Sequence, residues 1–193
     1  MFKFKYFSLS NIILIPLLLV GCDTTLPFKR IKIDNSKIIS AEISHDGTVA
    51  LVSPVEGNVM LVKLKTGIVK ENFTHALSNE EVNKMKLSKD KTKAVTSLKG
   101  EIYTWDLIDN KNTNQWHFYE YIRDIDITDD ASKVIVGMYG NKANIIDLTS
   151  GDIITSYPLP SSVEKVSISN DGMYGLTATG DKEVYLFNSS DYP

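Results

Sequence analysis

The sequence predicts an all-β protein made of four similar units, and three observations support this fold class. Four segments of the chain align without gaps: 38–53, 82–97, 122–137 and 163–178. One aliphatic position of this alignment is occupied by Ile43, Leu87, Ile127 and Ile168, which are 44, 40 and 41 residues apart. Apolar residues alternate within each segment, as they do in strands that bury one face. No segment shows the apolar spacing of a long amphipathic helix. A period near 40 residues indicates an array of supersecondary units.

The composition is that of an ordinary globular protein and excludes several other classes. The chain has 193 residues, of which 42% are hydrophobic and 23% charged, so disorder and low complexity are excluded. The net charge of −3 comes without any stripe of lysine or arginine, which argues against a nucleic-acid partner. The single cysteine excludes an intramolecular disulfide and a cysteine-rich metal site.

Each unit is predicted to begin with two strands joined by a tight turn. One apolar column contains Ile38, Val82, Ile122 and Val163, and a second contains Ala41, Met85, Ile125 and Val166. The turn column contains Asp46, Asp90, Asp130 and Asp171. Aspartate favours such turns because its side chain accepts hydrogen bonds from nearby backbone N–H groups. Small residues close the second strand: Ser53, Ser97, Gly137 and Ala178.

A third strand follows in every unit, and a fourth follows after another turn. The third strands are predicted at 58–64, 101–107, 143–148 and 183–188, and one example of a fourth lies at 153–159. The segment 28–33 precedes the first unit at the place of a fourth strand. We therefore expect that segment to complete the last unit if the array closes into a ring.

These columns resemble the WD-repeat β-propeller family, over residues 29–188. Segments 38–47 and 163–172 are similar to the first strand and turn of that family, and Trp105-Asp106 matches its name-giving dipeptide. The resemblance implies a β-propeller of four-stranded antiparallel blades, with 28–193 as the repeat domain. No Gly-His pair precedes the third strand. The buried Asp–His–Ser/Thr–Trp network of the family is therefore expected to be absent or degenerate.

Four repeats leave the closure of the array open. Propellers have four to eight blades, and most WD-repeat members have seven. The four units are compatible with a closed four-bladed ring, with two chains that associate to complete a propeller, and with a truncated larger propeller. An open array would expose apolar faces and strand edges.

The amino terminus predicts a lipoprotein signal peptide over residues 1–21. Lys3 and Lys5 precede the apolar run 12–20, whose nine residues are far fewer than the roughly 20 that a membrane-spanning helix needs. A short transmembrane anchor is the alternative. Leu19-Val20-Gly21-Cys22 resembles the bacterial lipobox, which implies acylation of Cys22 and a membrane partner through its acyl chains.

Residues 22–27 would then form a lipidated tether. Asp23 resembles the signal that retains lipoproteins in the inner membrane, facing the periplasm. Two or more acyl chains hold a protein firmly on a bilayer, whereas one chain gives marginal binding. We therefore expect a lipid-anchored protein of the bacterial cell envelope.

Charged residues of the first strands alternate in sign from one repeat to the next. One column contains Glu42, Lys86 and Asp126, and the other contains Lys84, Asp124 and Lys165. In a propeller these positions would flank the central channel. We expect them to form ion pairs between units that fix the order of the blades, with independent solvated charges as the alternative.

No catalytic motif, cofactor motif or metal-binding spacing is present in the sequence. There is no nucleophile elbow, no paired-histidine zinc motif and no phosphate-binding glycine loop. The histidines His45, His75 and His117 are scattered and are expected at the solvent or at strand edges. The aromatic segment 116–121 indicates packing between units, with a binding surface as the alternative.

The sequence therefore favours a binding or scaffold protein that contacts an unidentified protein partner and performs no chemistry. The variable column at the start of the first strands contains Ile39, Asn83, Arg123 and Glu164, and the resemblance to the WD-repeat family implies that this column lies on the rim used for partner recognition. The predicted interaction rim consists of Asn83, Arg123, Glu164 and the neighbouring Tyr121. A propeller hydrolase or lyase with acid–base residues in loops is one alternative. A truncated fragment without function is the other.

Overall fold

A computed structural model of the chain describes residues 30–33, 35–55, 58–75, 81–82 and 84–189. These residues form strands, turns and loops but no helix, and so contain no helix that could cross a membrane. The residues from Ile31 onward belong to one compact unit. Cys22, Asp23 and Asn83 lie outside the described residues.

Fifteen strands form four antiparallel sheets, each made of strands that are consecutive in the chain. The first sheet contains β1 (Ile38–Ile43), β2 (Val49–Pro54), β3 (Val59–Lys63) and β4 (Ile68–Phe73). The second contains β5 (Lys84–Leu87), β6 (Lys93–Leu98), β7 (Glu101–Asp106) and β8 (Lys111–His117). The third contains β9 (Ile122–Ile127), β10 (Lys133–Met138), β11 (Lys142–Asp147) and β12 (Ile153–Pro158). The fourth contains β13 (Val163–Ile168), β14 (Tyr174–Thr179) and β15 (Val184–Asn188).

The predicted all-β class and the four-unit organisation are therefore confirmed. Three sheets have four strands and the fourth has three. Each third strand lies within one residue of its predicted bounds, and β12 ends one residue before its predicted end. The register follows the repeat, because Ile135 pairs with Ile145 in the third sheet and Leu176 pairs with Leu186 in the fourth.

The turn between the first two strands of each sheet is held by a hydroxyl–carboxylate hydrogen bond. The hydroxyl two residues before each turn aspartate donates to it, at 2.8 Å (Ser44–Asp46), 2.7 Å (Ser88–Asp90), 2.7 Å (Thr128–Asp130) and 2.6 Å (Ser169–Asp171). This hydroxyl bond is the main reason that the pKa values of Asp90 and Asp171 lie below their usual value. The serine or threonine column is visible in the sequence but did not enter the prediction.

The sheets pack in chain order through their first strands. β1 lies beside β5, β5 beside β9, and β9 beside β13. Three apolar cores fill the junctions between successive sheets, as expected for stacked sheets that bury one face against the next. Within the described residues, no comparable packing joins β13 back to β1.

The segment before the first sheet does not complete the last one, as the sequence had suggested. Its described residues, 30–33, belong to no strand. Ile33 packs instead against the apolar face of the first sheet, and Ile31 approaches Gly67 in the turn between β3 and β4. The expected fourth strand of the last sheet is therefore not supplied by these residues, because they find apolar partners on the first sheet.

Candidate interaction surface

Three residues of the predicted rim lie together at one end of the third and fourth sheets. Tyr121 directly precedes β9, Arg123 is the second residue of β9, and Glu164 is the second residue of β13. Both carboxylate oxygens of Glu164 accept hydrogen bonds from Nη2 of Arg123, at 2.8 and 2.7 Å. These bonds and the adjacent negative charge raise the pKa of Arg123. The fourth predicted residue, Asn83, is outside the described part of the chain.

Tyr139 joins this group and was not predicted. Nη1 of Arg123 donates to the Tyr139 hydroxyl at 3.1 Å, and the guanidinium carbon lies 4.8 Å from the centre of the ring. Tyr139 directly follows β10, so the β9–β10 hairpin separates it from Arg123 in the sequence. The signal that could have found it is an aromatic residue at the end of the second strand of a repeat.

The resulting rim cluster consists of Tyr121, Arg123, Tyr139 and Glu164, and it lines a shallow depression of about 450 Å³. Tyr121 and Tyr139 are 59% and 60% exposed, and the neighbouring Tyr119 is fully exposed. Arginine and tyrosine are enriched among the residues that carry binding energy in protein interfaces. The cluster also lies on a rigid support, because Arg123 and Glu164 project from strands of adjacent sheets.

The aromatic segment 116–121 divides between the two roles that its sequence allowed. Trp116 and Phe118 are partly buried against the core between the second and third sheets. Tyr119 and Tyr121 point to solvent. The first pair therefore serves packing, whereas Tyr121 belongs to the rim cluster and Tyr119 extends its exposed aromatic surface.

The predicted ion pairs between sheets are confirmed. Nζ of Lys86 on β5 lies 3.8 Å from Glu42 on β1 and 3.3 Å from Asp126 on β9. Asp124 on β9 lies 3.7 Å from Lys84 and 3.6 Å from Lys165 on β13. These contacts form a ladder of alternating charge across the four first strands.

Except at Lys165, whose side chain is 69% exposed, the charges in this ladder are partly shielded from water. Burial is the main cause of a raised pKa at Glu42, which the Lys86 cation opposes. Burial alone would lower the pKa of Lys86, but the negative charges of Asp126 and Glu42 raise it above its usual value. The carboxylate of Asp126 also accepts hydrogen bonds from the hydroxyl of Ser167 at 2.9 Å and the backbone N–H of Ile168 at 3.0 Å.

One histidine departs from its predicted environment. His45 and His117 are exposed, but His75 is only 5% exposed and packs against the rings of Tyr103 and Trp105, with centroids 4.8 and 5.0 Å away. His75 follows β4 of the first sheet and enters the junction with the second sheet. The sequence prediction for His75 was wrong because this packing partner belongs to the next repeat.

His75 also belongs to a buried hydrogen-bonded chain. Nε1 of Trp105 donates to Oγ1 of Thr96 at 2.9 Å, and Oγ1 lies 2.7 Å from Nε2 of His75. Because Oγ1 accepts from Trp105 and still has its own proton and a second lone pair, it can also hydrogen-bond Nε2 of a neutral imidazole. Burial lowers the pKa of His75 to about 4, which keeps the ring neutral at pH 7. Three of the four residue types of that network are thus hydrogen-bonded here, which is the degenerate form that the sequence analysis allowed.

The turn aspartates are engaged by hydroxyl and backbone N–H groups of their own turns. Among the residues that the structure describes, no three histidine, cysteine or acidic side chains converge as metal ligands. The sequence matches no known protein family and no curated protein.

Proposed function

We propose that the chain is a lipid-anchored protein of the bacterial cell envelope whose β-propeller-like repeat domain binds another protein through the rim cluster. The observation that carries the binding role is the group of Tyr121, Arg123 and Tyr139 at the ends of adjacent strands, where both tyrosines are exposed. Arginine held over a tyrosine face presents planar, pre-oriented contact area at a small entropic cost. No chemical step is assigned to the domain.

Site-specific photo-crosslinking in the native cell tests this binding role. A photoreactive phenylalanine analogue replaces Tyr121 or Tyr139, and a matched control replaces Ile108, which is also exposed but lies in the turn after β7. We expect one defined adduct from the two rim positions and none from position 108. The purified partner should then lose at least tenfold in affinity with R123E. Equal adducts from all three positions, or unchanged affinity of R123E, would refute the rim as the binding surface.

The anchor is proposed on the lipobox resemblance of residues 19–22 and is tested separately. We expect Cys22 to carry two acyl chains on a glycerol thioether and to be the first residue of the mature protein, which mass spectrometry of the amino-terminal peptide measures. The variant C22S should carry no lipid and should keep the signal peptide. A mature protein that begins elsewhere and carries no lipid would disprove the anchor. Separation of inner and outer membranes tests the sorting role of Asp23.

The outer face of the fourth sheet supports self-association as a second proposal. Leu176, Val184 and Leu186 on this face are 41%, 62% and 69% exposed. The equivalent end face of the first sheet, by contrast, is already buried, at Ala50, Val52, Met60 and Val62. The outer face of the fourth sheet is therefore the exposed end face of the stacked sheets, and a second copy can present the same face to it. The two copies would pair symmetrically, as most homodimers do.

Analytical ultracentrifugation of the full chain in detergent tests this pairing. We expect a concentration-dependent dimer that L186K converts to a monomer. The control I153K places the same charge on an exposed isoleucine of β12 and should leave the dimer intact. A monomer at every concentration would refute the pairing, as would equal effects of the two substitutions. A symmetric pair through this face does not close a ring, and so differs from the completion of a propeller by two chains that the sequence analysis left open.

A further inference from the structure

The depression at the rim cluster is lined by more positive than negative charge. Its lining contains three cations, Lys84, Arg123 and Lys165, and one carboxylate, that of Glu164. The whole chain, by contrast, has a net charge of −3. A local excess of positive charge on an acidic protein favours an anionic group on the partner, because complementary charges steer two proteins together and fix their register.

The excess charge belongs to the two lysines rather than to the arginine. Both carboxylate oxygens of Glu164 accept hydrogen bonds from Nη2 of Arg123, and Oε1 also lies 3.3 Å from the donating hydroxyl of Ser162. Arg123 and Glu164 therefore neutralise each other. Lys84 and Lys165 are the cations of the lining that remain for a partner.

These two lysines share a single carboxylate oxygen. Oδ1 of Asp124 lies 3.7 Å from Nζ of Lys84 and 3.6 Å from Nζ of Lys165, distances that exceed a normal N–H···O hydrogen bond. Oδ2 of Asp124 accepts a hydrogen bond from the backbone N–H of Val166 at 3.2 Å. Two positive charges thus face one negative charge, and each ammonium group has three N–H donors. A second carboxylate between the lysines would balance the charge.

Exposed aromatic rings share the depression with these lysines. Tyr121 and Tyr139 both line it and are 59% and 60% exposed. Side chains that cover such rings exclude water, which strengthens a neighbouring ion pair. A protein surface suits this arrangement better than an anionic bilayer, because the bilayer would repel the net negative charge of the chain.

We propose that the partner of the rim is an acidic protein segment, whose glutamate or aspartate carboxylate binds between Nζ of Lys84 and Nζ of Lys165. The side chains beside that carboxylate pack on Tyr121 and Tyr139. This inference rests on the proposed function of the rim cluster and adds the chemistry of the partner. The carboxylate is recognised by charge-assisted hydrogen bonds, which are stronger than those between neutral groups.

Fluorescence anisotropy of two labelled peptides with the full chain in a non-ionic detergent tests the proposal. One peptide has two glutamates between two tyrosines, and the other has two glutamines in their place. We expect the glutamate peptide to bind at a saturable site at least tenfold more tightly, because only this peptide has side-chain carboxylates. Equal affinities, or no saturable binding of either peptide, would overturn the proposal.

Two charge reversals locate the effect. K165E should abolish the preference for the glutamate peptide. K70E is the matched control, because it reverses an exposed lysine on β4 of the first sheet and should retain the preference. The two variants have the same net charge, so a difference between them reports the local site. Equal losses of affinity in K165E and K70E would refute the role of Lys165.

Competition by two small anions distinguishes a carboxylate from a phosphate. N-acetylglutamate α-amide and glycerophosphoglycerol, the soluble headgroup of phosphatidylglycerol, each have one negative charge. We expect the first to displace the glutamate peptide at the lower concentration, and the reverse order would assign the lysines to a lipid headgroup and refute the proposal. A defined photo-crosslink from Tyr121 or Tyr139, together with equal affinities of the two peptides, would refute the acidic partner but not the rim as a binding surface.

Discussion

The third and fourth sheets contain the same repeat, but their corresponding faces have opposite environments. Ile135 and Ile145 of the third sheet are completely buried, whereas Leu176 and Leu186 at the equivalent positions of the fourth are 41% and 69% exposed. Val163, on β13 of the fourth sheet, covers this buried face of the third sheet. The pattern of apolar residues within one repeat therefore specifies which face can be buried, but the neighbouring sheet determines whether it is.

The fourth sheet is consequently stabilised from one side. Its inner face packs on the third sheet, and Phe187 stacks on Tyr157 of β12 with ring centroids 3.8 Å apart. The Tyr157 hydroxyl also donates to the backbone carbonyl of Asn188 at 2.8 Å, which ties the end of β15 to the third sheet. We therefore expect the sequence changes with large effects on stability to lie on covered faces.

The largest expected difference compares Ile145 with Leu186. I145A should lower the free energy of unfolding by about 3–4 kcal/mol, because it removes buried methyl groups and leaves a cavity between two sheets. L186A should change it by less than about 1 kcal/mol in the monomer, because water already reaches this side chain. Urea unfolding of dilute protein measures both values. Equal losses would show that a partner covers the outer face under these conditions.

The junction between the first and second sheets is buried like the other two junctions, but it contains the titratable side chain of His75. The unfolded chain binds a proton at His75 below about pH 6.5, the usual histidine pKa, whereas the folded chain does so only near pH 4. The free energy of unfolding should therefore fall as the pH drops from 6.5 to 4, by about 3 kcal/mol. Below pH 4 this contribution is fully lost.

Urea unfolding at several pH values between about 7 and 4 measures this dependence. H75Q should be less stable at pH 7 but should lose much less stability across the same range. The control H45Q changes an exposed histidine and should keep the slope of the unmodified protein. An unchanged slope in H75Q would contradict the assignment of the titration to His75.

The repeat columns made the strands and the charge ladder predictable. Four copies of one pattern place each strand of the unit in register, and a ladder of alternating charge follows once first strands are neighbours, as Lys86 between Glu42 and Asp126 illustrates. The same reasoning placed Arg123 and Glu164 in one column, and the structure brings them into contact.

Features that depend on packing between repeats were not predictable in this way. His75 reaches Thr96 of the next sheet, and Tyr139 reaches Arg123 across a hairpin, so the local pattern around either residue contains no sign of its partner. The segment 31–33 matches a strand pattern, but it lies against the first sheet because an apolar face is available there. The sequence pattern does not indicate which of two equivalent faces such a segment covers.

A third prediction contrasts two threonines at the same repeat position. Thr96 on β6 is hydrogen-bonded to both Trp105 and His75, whereas the buried hydroxyl of Thr177 on β14 has no partner in the described structure. T96V should cost about 2 kcal/mol, because it leaves two buried polar groups unsatisfied. T177V should be neutral or slightly stabilising, since it removes an unpaired buried oxygen. Chemical unfolding of both variants measures the difference, and a similar cost for both would contradict the role of the network.

The smallest expected effect compares the interior of the charge ladder with its end at the fourth sheet. Lys86 lies between acidic residues on both sides, whereas Lys165 is 69% exposed and contacts Asp124 on one side only. K86E should lower the free energy of unfolding by about 1–2 kcal/mol, because the new carboxylate is partly buried between two others. K165E should lower it by less than about 1 kcal/mol, because solvent screens an exposed pair.

Thermal unfolding at low and high salt measures both effects of charge reversal. High salt should reduce the loss of stability in K165E more than in K86E, because screening acts mainly on exposed charges. The variant K86M keeps the length of the side chain without its charge, and so separates lost attraction from new repulsion. If K86E retains the melting temperature of the unmodified protein, the ladder does not hold the sheets in order. If K86E and K165E lower the melting temperature by the same amount, the ladder contributes equally to the inner and terminal sheets. The difference in stability between these sheets then comes only from the burial of their apolar faces.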